Sequence, residues 1–241
     1  MNTTATLSPA TGWPELPRGA KALERLLHLK PSFAVHDRAC AQRPALEAYV
    51  RRQFEENYGA SVTEFLPTLF SVRCGGSYSA VAGTRTASSG ELFVEQYLDV
   101  SVEQAIGRLA GAPASRVRIV EIGNLAATRH GATLLCLVLQ IAVLQAAGFE
   151  WAVFAATGHV AELIDKLNFV TFGLGRADPA RLGEDASRWG RYYDTRPTLR
   201  AGDLTATCAV LRRSPLSGAV ISCFGETIAE LAQSMMDKPA R

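Results

Sequence analysis

Glu121 stands in a stretch whose pattern predicts a β-strand, and its carboxylate has the chemistry of a general base. It lies between Val120 and Ile122, so strand alternation turns its side chain away from theirs. Such a carboxylate either faces solvent at a strand edge or is a partly buried base whose pKa burial raises. The spacing alone leaves both interpretations open.

A second polar set lies in ELFVEQYLD. Glu95, Tyr97 and Asp99 alternate with apolar and amide residues, which predicts a strand with these three side chains on one face. A polar face that carries a tyrosine could line a substrate cleft. A solvated sheet face is the equally good structural interpretation.

The loop after the Glu121 strand is suited to an anion. Residues 127–131 read Ala-Thr-Arg-His-Gly and precede a strongly apolar stretch that predicts a buried helix. Free N–H groups and the helix dipole at such a turn attract phosphate. Glycine is also common in these turns for conformational reasons, so the loop by itself is a weak signal.

Other chemistries lack their usual residues. The four histidines are scattered without HxxxH or HxH spacing, and the five cysteines form no CxxC pair, which disfavours metal catalysis and a disulfide framework. The sequence has no GxSxG, Walker or GxGxxG motif, so a hydrolase elbow, a P-loop and a Rossmann dinucleotide site are not indicated. We expect reduced thiols, no metal and no tightly bound cofactor.

Composition narrows the class of protein. The 241 residues carry 25 Lys and Arg against 23 Asp and Glu, a net charge of +2, which argues against a DNA-coating protein. The first residues show no signal or transit pattern. The most apolar stretch, 134–147, is interrupted by Gln140 and Gln145 and is too short to span a bilayer. We therefore expect a cytoplasmic protein without membrane insertion.

The pattern along the chain predicts one α/β domain. A helix follows Pro44 and ends at Gly59, and three antiparallel strands occupy residues 63–99. Residues 116–126, the apolar helix and WAVFAAT form a βαβ unit with parallel neighbouring strands. A helix over 159–167 and a strand over 169–174 follow. Residues 177–197 read as a surface excursion that Trp189, Tyr192 and Tyr193 could pin down.

The ends of the chain differ from this domain. Residues 1–20 are rich in Thr, Ser, Pro and Gly, which is typical of a flexible tail, and the domain is expected over 21–202. Residues 203–241 are expected to form a helical extension. Its apolar stripe, spaced as on a helix, predicts packing on the domain or on a second subunit, which would make a homodimer. The stripe consists of Leu216, Val220, Phe224, Ile228, Leu231 and Met235.

Several motifs together resemble the thermostable hemolysin family over about residues 45–202. They are EAYVRRQFEENYGA, FLPTLFSVR, LFVEQYLD, RIVEIGNLAA, WAVFAAT, ADPARL and WGRYYDTRP. That family is similar in fold to the GNAT acyltransferases and the acyl-homoserine-lactone synthases. The resemblance implies a central mixed α/β sheet, partly splayed and flanked by helices.

The resemblance also implies a chemistry. Two splayed parallel strands, 116–126 and 151–157, would hold the pantetheine arm of an acyl thioester, from coenzyme A or from an acyl carrier protein. The backbone of Leu125, Ala126 and Ala127 would bind the arm. The loop of Thr128, Arg129, His130, Gly131 and Ala132 would bind phosphate. Glu121 would be the catalytic carboxylate, and Glu95 and Tyr97 would face the acceptor cleft.

The expected function is therefore direct acyl transfer to a small-molecule amine or alcohol, in biosynthesis such as secondary metabolism. One departure concerns GHVAELIDKLNF, which lacks the tyrosine that many GNAT enzymes use as general acid. Two alternatives stay open. One is a non-catalytic module that binds a thioester or a carrier protein. The other is membrane lysis, which the family name suggests, although the acidic residues beside the C-terminal stripe disfavour it.

Overall fold

The computed structural model describes residues 4–5, 28–128 and 130–236. Its centre is an eight-stranded mixed sheet in the order β1-β2-β3-β4-β5-β6-β8-β7. The strands are β1 Thr4–Ala5, β2 Ser32–His36, β3 Thr68–Cys74, β4 Ser77–Thr86, β5 Ile119–Ala127, β6 Trp151–Ala156, β7 Thr171–Arg176 and β8 Thr198–Asp203. All pairings are antiparallel except that of β5 with β6.

Seven α-helices are described, together with five short 3₁₀ helices. The α-helices are α1 Arg43–Tyr58, α2 Val102–Ala110, α3 His130–Ala146, α4 Gly158–Lys166, α5 Leu204–Arg213, α6 Pro215–Cys223 and α7 Gly225–Met236. The 3₁₀ helices cover Ala87–Ser89, Phe93–Tyr97, Arg116–Arg118, Pro179–Trp189 and Tyr192–Thr195. Helix α1 ends where the pattern predicts, because Gly59 takes a left-handed φ of 65° at its C-cap.

The predicted βαβ unit is confirmed, and its helix lies on one face of the sheet. Strand β5, helix α3 and strand β6 follow one another, and the two strands pair in parallel. Helix α3 packs on one face together with α5, α6 and α7. The other face carries α1 on β3 to β5, and α2 with the 3₁₀ segments lies beside it. The α/β fold class expected from the sequence is thus the observed one.

The predicted strand in ELFVEQYLD is wrong. Residues Phe93–Tyr97 form a 3₁₀ helix, so Glu95, Tyr97 and Asp99 do not share a strand face. The Glu95 carboxylate accepts the backbone N–H groups of Leu92 and Val102, at 2.8 and 2.9 Å. A side chain that satisfies local backbone donors favours a turn over an extended ladder. The bond to Val102 also satisfies the first backbone N–H of α2.

Three strands were not anticipated. β2 pairs with β3, β8 lies between β6 and β7, and Thr4–Ala5 pairs with β2. The last pairing departs from the expected tail at these two residues. The rest of the predicted tail, 1–3 and 6–20, lies outside the described residues. β8 was missed because it follows directly on the aromatic excursion and has little alternation.

The C-terminal apolar stripe is buried within the chain itself. Val220, Phe224, Ile228 and Leu231 are each less than one tenth exposed and belong to the core cluster that contains α3. The stripe therefore packs on the domain, one of its two expected places. Within the ranges that the structure describes, no helix is long and apolar enough to cross a membrane.

Candidate active site in the gap between two parallel strands

Strands β5 and β6 pair over only three residues and then separate. Their parallel register runs from Ile119 opposite Trp151 to Glu121 opposite Val153, although both strands continue beyond that point. The carboxyl-terminal halves of the two strands therefore leave a gap in the middle of the sheet. Backbone groups on the facing edges of the gap are open to a ligand.

A bulge in β5 lies beside this gap. From Val81 opposite Ala126 to Gly83 opposite Gly123, β4 advances two residues while β5 advances three, so β5 carries one extra residue. Asn124 in the bulge has a left-handed φ of 50°. Its side-chain oxygen accepts the N–H of Leu66 at 2.8 Å. This bond fixes the bulge and the segment that covers it.

A cavity of about 250 Å³ occupies the gap and reaches both faces of the sheet. On the α3 face its walls are aliphatic and aromatic side chains of β5, β6, α3 and α4 and of Phe169, which lies between α4 and β7. They are Ile122, Leu137, Ile141, Phe154, Val160, Ile164 and Phe169. On the α1 face the walls are predominantly aromatic, and they include Phe54, Tyr58, Phe93, Tyr97, Trp189 and Tyr192. We call these two parts the aliphatic half and the aromatic half.

Glu121 lines the cavity and is only 2% exposed. Its two carboxylate oxygens accept the backbone N–H groups of Phe93 and Val94, at 3.1 and 2.8 Å. Burial raises the pKa of Glu121, while these two bonds and Arg85 act in the opposite direction. Of the two interpretations that the sequence left open for Glu121, a solvent-facing side chain is therefore excluded.

The aromatic half is held together by the excursion over residues 179–195. The Trp189 ring contacts the rings of Phe54, Phe93 and Tyr192 in edge-on or tilted geometry, with ring centroids 5.2 to 6.3 Å apart. The Gly190 backbone lies so close to α1 that an added Cβ would come within 2.3 Å of the Tyr58 carbonyl. The prediction that aromatic residues pin this excursion is confirmed, and the pinned segment forms a cavity wall.

Tyr97 lines the aromatic half, as expected of a residue in the cleft. Its hydroxyl lies 2.5 Å from the hydroxyl of Tyr193. Burial, and then the bond to Tyr193, raise the pKa of Tyr97, so this hydroxyl stays protonated at neutral pH. The Tyr97 side chain reaches the cleft from a 3₁₀ helix and not from the predicted strand.

Glu95 does not line this cavity, which corrects the expectation that it faces the cleft. Its carboxylate binds the Arg116 guanidinium with both oxygens, at 2.7 and 2.8 Å. Burial alone would raise the pKa of Glu95, but the bonds from Arg116 and two backbone N–H groups outweigh it and lower the pKa to about 2. A carboxylate so strongly held in its charged form is a poor general base.

The predicted donor-binding residues lie along the end of β5 and the start of α3. Leu125 lines the cavity, and Ala126 and Ala127 pair with Val81 and Ala80 of β4. The Thr128 N–H donates to the Ser79 carbonyl at 3.0 Å. Gly131 and Ala132 are buried in the first turn of α3. Arg129 and the His130 side chain lie outside the described residues.

Sequence reasoning missed Arg85, which also lines the cavity. It stands directly opposite Glu121 in the β4–β5 register, and one of its N–H groups donates to the Glu91 carbonyl at 3.2 Å. Its role depends on strand register, which no local pattern reveals. Among the residues that the structure describes, no group of three or more His, Cys, Asp or Glu could hold a metal ion.

Solved structures show the same architecture. The acyl-homoserine-lactone synthase LasI is 15% identical, with a TM-score of 0.53 over 78% of this chain and 95% of its own. TofI, solved with an inhibitor and MTA, is 14% identical, with a TM-score of 0.52 over 77% and 98%. BjaI, a CoA-dependent acyl-homoserine-lactone synthase solved with SAM and isopentyl-CoA, is 13% identical, with a TM-score of 0.50 over 78% and 98%. At these identities the likeness establishes the fold alone.

Sequence comparison gives the family. Curated proteins yield no significant match. The family model described as thermostable hemolysin matches residues 36–208, which contain the gap, the bulge, Glu121 and every wall of the cavity named above. With more than half of its length matched, the chain belongs to the thermostable hemolysin family and has the fold of acyl-homoserine-lactone synthases.

Proposed function

We propose that this protein is an acyltransferase that moves an acyl group from a pantetheine thioester to a small-molecule amine or alcohol. One observation carries the proposal: the gap between β5 and β6 is continuous with a cavity that reaches both faces of the sheet. A thioester in the gap would meet an acceptor from one face while its acyl chain lies on the other. The solved neighbours are named as synthases of acyl products, which agrees with this proposal.

The donor would enter at the carboxyl ends of β5 and β6. Its pantetheine amides would pair with the open β5 backbone near Leu125 and Ala126, as an added strand pairs with a sheet edge. The phosphate, of coenzyme A or of a carrier-protein prosthetic group, would lie at Thr128–Ala132, where the 17-residue helix α3 begins. The acyl chain would occupy the aliphatic half.

The acceptor would react from the aromatic half. Glu121 removes a proton from the acceptor amine or alcohol, whose lone pair attacks the thioester carbonyl. The new C–N or C–O bond forms, the C–S bond breaks, and the thiolate takes up a proton, so that charge and atoms balance. Backbone N–H groups at the β5 bulge would polarise the carbonyl. Tyr97 supplies a protonated hydroxyl beside the reacting groups.

The membrane-lytic alternative has less support from the molecule. A surface-seeking helix needs an exposed apolar face, and the C-terminal stripe has its apolar side chains packed against the core that contains α3. A binding module would hold the same donor in the same gap but would not transfer its acyl group. Turnover and membrane assays therefore distinguish both alternatives from acyl transfer.

The test is thiol release from a panel of acyl-CoA and acyl-carrier-protein donors with amine and alcohol acceptors, and the products are identified by mass spectrometry. We expect thiol release coupled to an acylated acceptor. Donor binding without release across the panel would favour the binding module. Dye release from protein-free liposomes without any thioester would favour lysis.

A matched variant ties the activity to the gap. Ile164 lies in the aliphatic half and is 2% exposed, so Ile164→Phe should shorten the preferred acyl chain without abolishing release. Ile106, equally buried but in the cluster under α2, gives the control Ile106→Phe, which should leave chain preference unchanged. If both variants shift the preference alike, the aliphatic half is not the acyl site.

A further inference from the structure

The aromatic half of the cavity carries one buried charge pair that the proposed function does not fully use. Of the residues that the structure describes, five charged ones line the cavity: Glu64, Arg85, Glu121, Asp185 and Arg188. Glu64, Asp185 and Arg188 are exposed at its rim, and Asp185 pairs with Arg188 at 3.2 Å. Arg85 is half-buried and Glu121 is buried. The inner wall thus presents one guanidinium and one carboxylate.

These two side chains project from the same face of the sheet. Arg85 and Glu121 are direct partners in the antiparallel β4–β5 register, and partners of this kind have Cβ atoms about 5 Å apart on one face. The Arg85 charge lowers the pKa of Glu121 and so favours its charged form. Both residues line the cavity, so a ligand in it would meet both charges.

Both groups keep hydrogen-bonding capacity. A carboxylate has about four acceptor positions, and Glu121 uses two for the N–H groups of Phe93 and Val94. A guanidinium has five N–H donors, and one from Arg85 goes to the Glu91 carbonyl. The pair is held by the backbone in a fixed orientation, which is what a binding site for a charged ligand needs.

We propose that the acceptor is a zwitterionic α-amino acid with an apolar or aromatic side chain. This inference rests on the proposed function and names its acceptor class. The ammonium group lies at Glu121, the carboxylate at Arg85, and the side chain lies against Phe93, Trp189 and Tyr192. In an α-amino acid the ammonium and carboxylate groups are bonded to the same carbon, so one small ligand can meet the charges of two neighbouring cross-strand side chains. Glu121 then removes the proton from the same amine that is acylated.

Each part of the ligand meets a group of matching chemistry. A guanidinium donates two parallel N–H bonds to the two oxygens of a carboxylate. An amine that has no carboxylate offers no such acceptor. The ammonium group is favoured both by the buried carboxylate and by aromatic rings around it. An anion without an amine would place a second negative charge near Glu121, which is unfavourable in a cavity of low polarity.

Binding of three related compounds to the full-length protein tests this proposal. L-Phenylalanine carries both charges, phenethylamine lacks the carboxylate, and 3-phenylpropanoate lacks the amine. By calorimetry we expect phenylalanine to bind at least about tenfold more tightly than either analogue, because a hydrogen bond to a charged group is worth that much. Equal binding of phenethylamine would overturn the proposal.

Variants assign the carboxylate to Arg85. Arg85→Gln should weaken phenylalanine binding about tenfold and leave phenethylamine binding within about twofold, and Arg85→Lys should fall in between because lysine lacks the planar fork. Arg118→Gln is the matched control, since Arg118 is exposed and pairs with Glu150 away from the cavity. Thermal unfolding of each variant separates lost binding from lost folding. Unchanged phenylalanine binding in folded Arg85→Gln would overturn the assignment.

Thiol release separates failure of this inference from failure of the proposed function. Release with phenethylamine as good as with phenylalanine would retain the acyltransferase and reject the amino acid acceptor. Tight, Arg85-dependent phenylalanine binding without any thiol release would keep the amino acid site and reject the acyltransferase. Release confined to α-amino acids supports both.

Discussion

Glu121 and Glu95 are two carboxylates withdrawn from solvent whose surroundings differ in kind. Glu95 is tied to a guanidinium and to two backbone N–H groups, and its pKa is lowered to about 2. Glu121 has two backbone N–H partners, lines a cavity and has a raised pKa. Both carboxylates are withdrawn from solvent, and their partners differ: a guanidinium holds Glu95 in its charged form, whereas Glu121 has no guanidinium bound to it among the described residues and lines the cavity.

Removing the Glu95 carboxylate should have the largest effect, and the effect should be on stability. Glu95→Ala leaves Arg116 and the N–H groups of Leu92 and Val102 without their shared partner, which costs about 3 kcal/mol of unfolding free energy. Urea unfolding monitored by circular dichroism measures this loss. Acyl transfer per folded molecule should fall far less than in Glu121→Gln, since Glu95 does not line the cavity and reaches Glu121 only through the 93–97 segment.

A surface carboxylate on the same segment provides the control. Asp99 is exposed and pairs with Arg181, so Asp99→Ala should change the unfolding free energy by less than about 0.5 kcal/mol. If Asp99→Ala destabilises the protein as much as Glu95→Ala does, the network at Arg116 has no special role.

The second prediction concerns activity, because the change at Glu121 should affect transfer more than stability. Glu121→Gln should reduce acyl transfer at least about 100-fold, because a general base contributes that much or more. Glutamine places an NH₂ group against one of the two backbone N–H groups of Phe93 and Val94, so some loss of stability, about 1 kcal/mol, is expected as well. Thiol release measured at a fixed folded fraction isolates the catalytic loss.

Glu95→Gln is the matched change for this comparison. It removes a carboxylate from the neighbouring segment and should lower stability more than Glu121→Gln while leaving transfer nearly intact. Undiminished transfer in Glu121→Gln would remove Glu121 from the mechanism.

These two residues also mark how far the sequence predicts the molecule. The β5-α3-β6 unit, the end of α1 at Gly59 and the class of the fold follow from periodicity and turn residues over short windows. The place of Glu121 on a strand follows in the same way. The burial of Glu121 cannot be predicted in this way, because the 93–97 segment that covers it is far away in the chain.

Long-range partners account for the failures. Glu95 was expected on a strand because alternation is a local signal, whereas its observed 3₁₀ turn is fixed by Arg116, 21 residues away. Arg85 faces Glu121 only after strand register and the bulge at Asn124 are set. The aromatic half joins rings from α1, the 93–97 segment and the 179–195 segment, and no local pattern links these three.

The third prediction uses pH to separate the two carboxylates. The pKa of Glu95 in the folded protein is about 2, below its ordinary value of 4.5. Its stabilising contribution is therefore present above pH 4.5 and is lost as the pH falls toward 2. The stability difference between the wild type and Glu95→Gln should therefore shrink between pH 5 and pH 3. Urea unfolding across this range measures it.

Glu121 should act in the opposite direction, on rate. Because its pKa is raised, transfer should increase with pH through a midpoint above the usual range of glutamate, as the base form appears. This limb of the pH–rate profile should vanish in Glu121→Gln and persist in Glu95→Gln. A midpoint that is unchanged in Glu121→Gln would assign the titration to another group.

The smallest expected effect concerns the Tyr97–Tyr193 pair beside Glu121. Tyr193→Phe removes the hydroxyl that lies 2.5 Å from that of Tyr97 and should lower transfer about two- to tenfold, the range of a single neutral hydrogen bond. Tyr97→Phe should cost at least as much, because Tyr97 lines the cavity.

The double variant decides whether the hydroxyls act together. If Tyr193 orients Tyr97, the double variant is no slower than Tyr97→Phe, and the two effects are not additive. If the losses multiply, Tyr193 acts independently of Tyr97.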